Sequence, residues 1–112
     1  MIGLEVVDIR AAQPALVVAM THPEARLRLR ATQVTRQRAD EGCDIRLAYP
    51  ILFRLVSDAD PAVRCAAWEA VSFGDDRHRA CQRPFAARAS EALKDAQPEV
   101  VSAVERLLKK LG

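Results

Sequence analysis

Apolar residues in this chain recur at the spacing of a helix, in three blocks that share the same punctuation. Counted from Pro61, Val63, Ala67 and Ala70 lie two, six and nine positions on, which puts them on one face of an α-helix. The same offsets from Pro23 select Ala25, Leu29 and Thr32, and from Pro98 they select Val100, Val104 and Leu107. Eight of these nine residues are apolar, so the three faces are predicted to share one core. The exception, Thr32, is small and can bond back to its own helix. The prolines stand 38 and 37 residues apart. A constant period in that range predicts a helical solenoid.

Each block reads as a helical hairpin. The first pairs a short apolar helix, Pro14 to Met20, with an arginine-rich helix that leaves the Thr21-His22-Pro23 turn and runs to about Arg38. Asp40-Glu41-Gly42 then breaks it, with Gly42 as the stop. The second runs from Asp44 through Tyr49-Pro50 to Val56, turns at Asp58–Pro61 and continues to about Phe73. The third opens around Arg77–Gln82, carries Pro84, reaches Ala96, turns at Gln97-Pro98 and stops at Gly112. At the middle elbow Asp60 is the expected N-cap, accepting from orphan backbone N–H groups. Pro61 suits the first helical position because its missing N–H had no partner there. Residues 1–12 admit either a short helix or an extended lead-in, and Pro84 either kinks its helix or starts it.

The residues around that elbow, Leu55-Val56-Ser57-Asp58-Ala59-Asp60-Pro61-Ala62-Val63-Arg64-Cys65-Ala66-Ala67, resemble the HEAT repeat. That family has an aspartate-rich turn, a proline, then valine-arginine and small residues at the start of the second helix. His22-Pro23-Glu24-Ala25-Arg26 keeps proline and arginine without the aspartate. Asp95-Ala96-Gln97-Pro98-Glu99-Val100 keeps aspartate, proline and valine but has Val101 in the arginine's place. The resemblance spans roughly residues 11–111. It implies an all-α fold: a right-handed α-solenoid of three HEAT-like hairpins with about six main helices. The repeats fall at about 11–38, 44–73 and 77–111 of a single domain, 1–112. It also implies a binding scaffold whose second helices line a concave surface.

Composition agrees with packed helices, since half the residues are apolar and only 4% aromatic. A net charge of +2 argues against a dedicated nucleic-acid binder while leaving room for a local basic patch. Cys43, Cys65 and Cys81 are odd in number and lack C-x-x-C spacing, so they read as free thiols, with Cys65 a buried small hydrophobe. There is no signal-peptide pattern, and the longest apolar run, Ala15 to Met20, is too short to span a bilayer. The expectation is a soluble cytoplasmic chain, a complete small protein, monomeric on its own and without a membrane partner.

Candidate partner-binding residues follow from the columns beside the core. Three positions past each proline lie Arg26, Arg64 and Val101, and seven past lie Arg30, Trp68 and Glu105. By the resemblance this face points into the groove. Trp68, the only tryptophan, would sit between Arg30 and Glu105 as a binding hot spot. It could equally pack on Arg30 and cover the core. Arg26 and Arg64 are expected to tie adjacent turns through aspartates such as Asp58 or Asp95. The loops between hairpins lean acidic, with Asp40, Glu41 and Asp44 in one and Asp75 and Asp76 in the other. They form an edge that could receive a basic partner.

No catalytic, metal or cofactor set is evident, and an enzyme is not expected. His78 and Cys81 near Asp75 or Asp76 fall short of zinc's paired ligands, and neither histidine is followed by glutamate as in the HEAT-like iron hydroxylases. The leading expectation is a protein-binding module, an immunity protein or antitoxin that neutralises a bacterial toxin such as a nuclease. The rival is a nucleic-acid or phosphate-backbone binder using Arg26, Arg28, Arg30, Arg36 and Arg38, in the way HEAT-like DNA glycosylases use basic grooves. That reading requires weak, salt-sensitive phosphate contacts.

Overall fold

The computed structural model describes residues 15, 16 and 18–112. The expectations for residues 1–12 and for Pro14 fall outside them. All regular structure among the described residues is helical. Helical backbone at 15–16 and 18–20 leads to α1 (Ala25–Asp40), α2 (Tyr49–Leu55), α3 (Pro61–Phe73), α4 (Arg79–Gln82), α5 (Ala86–Ala92) and α6 (Pro98–Leu111). Short 3-10 turns precede α2 at Arg46–Ala48 and flank α4 at Asp76–His78 and Arg83–Phe85. The second helices α1, α3 and α6 lie side by side with α3 in the middle, while α2 packs on α3 and α5 on α6.

Local chemistry explains most boundaries. Asp60 caps α3 as expected, its Oδ1 accepting the N–H of Ala62 at 2.8 Å and of Val63 at 3.4 Å. α1 stops at Gly42, where φ is +84°, a left-handed conformation that glycine adopts without a Cβ penalty. The Gly42 N–H returns to Ala39 O and the Cys43 N–H to Arg38 O, so two of the helix's orphan carbonyls are satisfied. Pro84 interrupts a helix. It has no N–H to donate and its ring crowds the preceding turn, so the backbone tightens to 3-10 between α4 and α5.

The first elbow departs from the expected register. Pro61 and Pro98 are the first residues of their helices, but Pro23 lies outside α1, which begins at Ala25 with Glu24 as N-cap. Aligned by their caps Glu24, Asp60 and Gln97, the hairpins repeat after 36 and 37 residues. Every position counted from Pro23 is therefore displaced by two. The partner of Ala67 and Val104 is Ala31, and all three are buried. Val63, Ala70, Val100, Leu107 and Thr32 are also buried, as expected, and Thr32 Oγ1 donates to Arg28 O at 2.6 Å. Ala25 and Leu29 are only half-buried.

Phe85 is the hub where the second and third hairpins meet. The rings of Phe53, Tyr49 and Trp68 approach it edge-on at centroid distances of 5.2, 5.7 and 6.0 Å. Beside it runs a buried polar seam. His78 Nε2 accepts the Ile45 N–H at 3.0 Å, so its proton sits on Nδ1, 2.9 Å from Asp75 Oδ1. Tyr49 donates to Val71 O, and Gln82 Nε2 donates to Val71 O and Gly74 O. Burial pushes the Tyr49 hydroxyl well above the usual phenol range, and Gln82 only partly offsets this, so it stays a neutral donor. Lys110 closes the seam by donating to Ser72 O and Gly74 O.

Gly74 is glycine for space, since a Cβ there would strike the Tyr49 hydroxyl and lie 2.9 Å from His78 Cβ. Gly74→Ala is therefore expected to cost about 1–3 kcal/mol, read as a lower urea midpoint. Adding Tyr49→Phe should recover part of the loss. A midpoint equal to wild type for Gly74→Ala would contradict this packing.

Candidate binding surface of the helical hairpins

At the turn edge, two arginine–aspartate rungs join consecutive hairpins. Arg64 Nε donates to Asp95 Oδ2 at 2.8 Å and Nη2 to Asp95 Oδ1 at 3.4 Å, while Nη1 reaches back to Asp58 O and Ala59 O. Arg28 repeats the pattern atom for atom. Its Nε and Nη2 donate to Asp58 at 2.8 and 3.0 Å, and Nη1 to His22 O and Pro23 O. Each aspartate also accepts an N–H two residues ahead, from Asp60 or Gln97. In the first hairpin His22 Nδ1 does the same for Glu24 N–H.

The structural role expected of Arg64 is thus in place, but its counterpart is Arg28 rather than Arg26. Arg26 is strongly exposed and lies 3.9 Å from Glu24, a displacement caused by aligning on Pro23. The cap pattern His22-x-Glu24, Asp58-x-Asp60, Asp95-x-Gln97 was the signal that could have found Arg28.

Trp68 belongs to the core. It is 1% exposed and packs toward Phe85, so it covers the core as one reading held, but against Phe85 rather than against Arg30, which is exposed. In cap register its counterparts are Thr32, fully buried, and Glu105, exposed, so it does not stand between Arg30 and Glu105. On the side away from the core α3 leaves Ala62 exposed and Cys65 and Glu69 half-buried, with Glu69 about 100° round the helix from Trp68. Across this open stripe Arg36 Nη1 meets Glu69 Oε1 at 2.8 Å, linking α1 to α3. Arg106 lies 5.2 Å over the Phe73 ring and donates to Ser72 Oγ, linking α6 to α3. Cys65 is half-buried rather than buried, and its thiol is pushed up to about 11 by burial and then by neighbouring Glu69, so it stays protonated at neutral pH.

The acidic edge is neutralised by arginine. Asp44 pairs with Arg46 at 2.7 Å, Asp75 with Arg77 at 2.9 Å, Asp76 with Arg79 at 2.7 Å and Glu41 with Arg38 at 3.5 Å. These arginines sit two or three positions from the carboxylates in sequence, too near to be read as a separate charge. Hydrogen bonds from Arg46 hold Asp44 well below the usual carboxylate range, and those from Arg77 and then His78 do the same for Asp75. Arg77 also donates to Gly42 O at 2.6 Å, tying one loop to the other. Asp40 is exposed at the same edge.

The basic cluster is likewise largely paired. Arg28, Arg36 and Arg38 are engaged with Asp58, Glu69 and Glu41. Arg30, Arg36 and Arg38 line a shallow surface depression of about 480 Å³ on α1. Among the described residues, no group of His, Cys, Asp and Glu is arranged to hold a metal ion, and no helix is long and apolar enough to cross a membrane.

This arrangement defines a class: an all-helical stack of hairpins whose second helices share the core and whose turns are linked by arginine–aspartate rungs. The family model of the HEAT repeat matches residues 48–72, which cover α2, the elbow and most of α3. The middle hairpin thus carries the HEAT pattern, and the all-helical fold fits a helical repeat protein. HEAT repeats generally mediate protein interactions, and the match is consistent with a helical interaction module. No curated protein and no solved structure matches the chain.

The rungs carry a pH signature. Burial works against the Asp58 carboxylate, but Arg28 and the Asp60 N–H outweigh it, so its folded value lies below that of the unfolded chain. The rung's stabilisation is therefore present in full above the ordinary aspartate range and is lost as pH falls through the lower folded value. Urea titrations of wild type and Arg28→Met should show a stability gap at neutral pH that closes on acidification. A gap that stays constant into strong acid would contradict the rung.

Proposed function

We propose that the chain is a protein-binding module, and specifically an immunity protein or antitoxin that occludes a cognate bacterial toxin. The observation that carries the binding reading is the open stripe of α3, where the HEAT-matching hairpin presents Ala62, Cys65 and Glu69 between the outward residues of α1 and α6. Mixed-charge surfaces of this kind suit a protein partner, because paired charges such as Arg36 and Glu69 can be re-paired across an interface without leaving either one bare. Docking against a toxin would be led by shape and by Glu69, Arg36 and Arg106, since four of the five carboxylates of the loop edge are paired with arginine and leave little negative charge to draw in a basic nuclease. In this reading the chain acts from the cytoplasm and performs no catalysis.

Co-expression with the product of the adjacent open reading frame tests the proposal. A stable one-to-one complex and protection of growth are expected, and Glu69→Lys should weaken the complex at least tenfold. Absence of both complex and protection would remove the toxin-inhibitor reading. The nucleic-acid alternative draws on the depression beside Arg30 and separates cheaply, as retarded DNA mobility at low salt that vanishes at high salt. No retardation at either salt concentration is expected.

A further inference from the structure

Two hydrogen bonds tie the loop that leads into the middle hairpin to the loop that leads into the third. One is exposed, with Arg77 Nη2 donating to Gly42 O at 2.6 Å. The other is buried, with the Ile45 N–H donating to His78 Nε2 at 3.0 Å. His78 is wholly buried and Ile45 only 3% exposed, so this second bond is shielded from water.

An imidazole can hold that bond in one protonation state alone. Nε2 must keep its lone pair, and the ring's single proton then sits on Nδ1, 2.9 Å from Asp75 Oδ1. A second proton would land on Nε2 and set N–H against N–H. A buried donor that loses its acceptor is costly, so the charged ring and the closed tie exclude one another. An acceptor for the new proton is at hand, because Asp44 Oδ1 lies 3.8 Å from Nε2. That carboxylate is the one Arg46 holds at 2.7 Å while the ring is neutral.

The groups around the ring pull both ways. From its own loop it faces Asp75, which Arg77 also holds, and from the neighbouring loop Asp44 with Arg46. α2 brings the Tyr49 ring to 5.6 Å, α4 follows with Arg79 and Cys81, and α6 brings the Lys110 ammonium to Gly74 O beside it. The carboxylates favour the charged ring, while burial and the nearby cations favour the neutral one.

We propose that His78 is a proton-operated latch between the middle and third hairpins. Protonation frees the Ile45 N–H, draws Asp44 from Arg46 to the ring and leaves Arg46 unpaired at the loop edge. Proton uptake and opening are therefore linked. The Arg77–Gly42 tie needs no titrating group other than an arginine, so the loops part locally and the stack stays whole. The latch is independent of what the chain binds.

Solution NMR reads each step separately. The chain has two histidines, and His22→Asn leaves the ring signals of His78 alone. At the alkaline end of a titration their ¹⁵N shifts should place the proton on Nδ1. As the ring takes up its second proton, protection of the Ile45 amide, corrected for the intrinsic pH dependence of exchange, should fall at least tenfold. The Arg46 Nε–H signal should move in step with it. His78→Gln offers the Ile45 N–H an oxygen that does not titrate, and should abolish both responses. Asp44→Asn carries the test should that variant not fold: its ring should charge at a lower pH than in wild type, and the Arg46 signal should no longer follow it. A proton on Nε2 of the neutral ring, an Ile45 amide still protected once the ring is charged, or an Arg46 signal indifferent to the ring would overturn the proposal. So would undiminished responses in His78→Gln or an unchanged ring titration in Asp44→Asn.

Discussion

The spacing of the hairpins depends on a carboxylate that serves two masters. Asp58 and Asp95 each accept a backbone N–H from the turn they belong to, and each receives the guanidinium of the preceding hairpin's second helix. The same guanidinium holds two carbonyls of its own turn, so one planar side chain fixes the end of its helix relative to the next. With the turn edge pinned, α3 can lie close to both neighbours. Its inward residues are accordingly small, with Ala66, Ala67 and Ala70 almost wholly buried and only Trp68 large, aimed at the Phe85 hub. The loop edge repeats the device in a weaker, exposed form, where Asp44 and Asp75 accept the N–H and the guanidinium of Arg46 and Arg77 two residues on.

Much of this was legible in the sequence because it is written locally. Asp60-Pro61 names a helix start by chemistry that needs no partner, and the structure begins α3 at Pro61 and ends it at Phe73. Gly42 announces its stop in the same way. The core columns were readable because helical periodicity averages over many positions. What misled was a proline that looked equivalent to the others. Pro23 precedes its helix by two residues, and proline tolerates both positions, so the residue alone could not fix the register. Two residues are more than half a helical turn, enough to exchange Arg26 for Arg28 and to set Trp68 level with Arg30 in place of Thr32. The pairing at the acidic edge was not legible for a different reason: net charge along a loop says nothing about which arginine folds back onto it.

These corrections move the proposed binding surface rather than abolish it. Trp68 gives its area to the core, and the residue after it, Glu69, takes its place on the outward side of α3, already paired with Arg36. The Trp68 indole N–H is buried with the rest of that side chain and has no hydrogen-bond partner among the described residues.

The most direct test of this account is a double-mutant cycle on the Arg64–Asp95 pair, using Arg64→Met, Asp95→Asn and the double variant in urea denaturation at neutral pH. If the rung couples the second and third hairpins, the two losses will be non-additive by at least about 0.5 kcal/mol, because the second change removes an interaction the first has already broken. Strict additivity would contradict it, and would mean that the hairpins hold their spacing through the buried core alone.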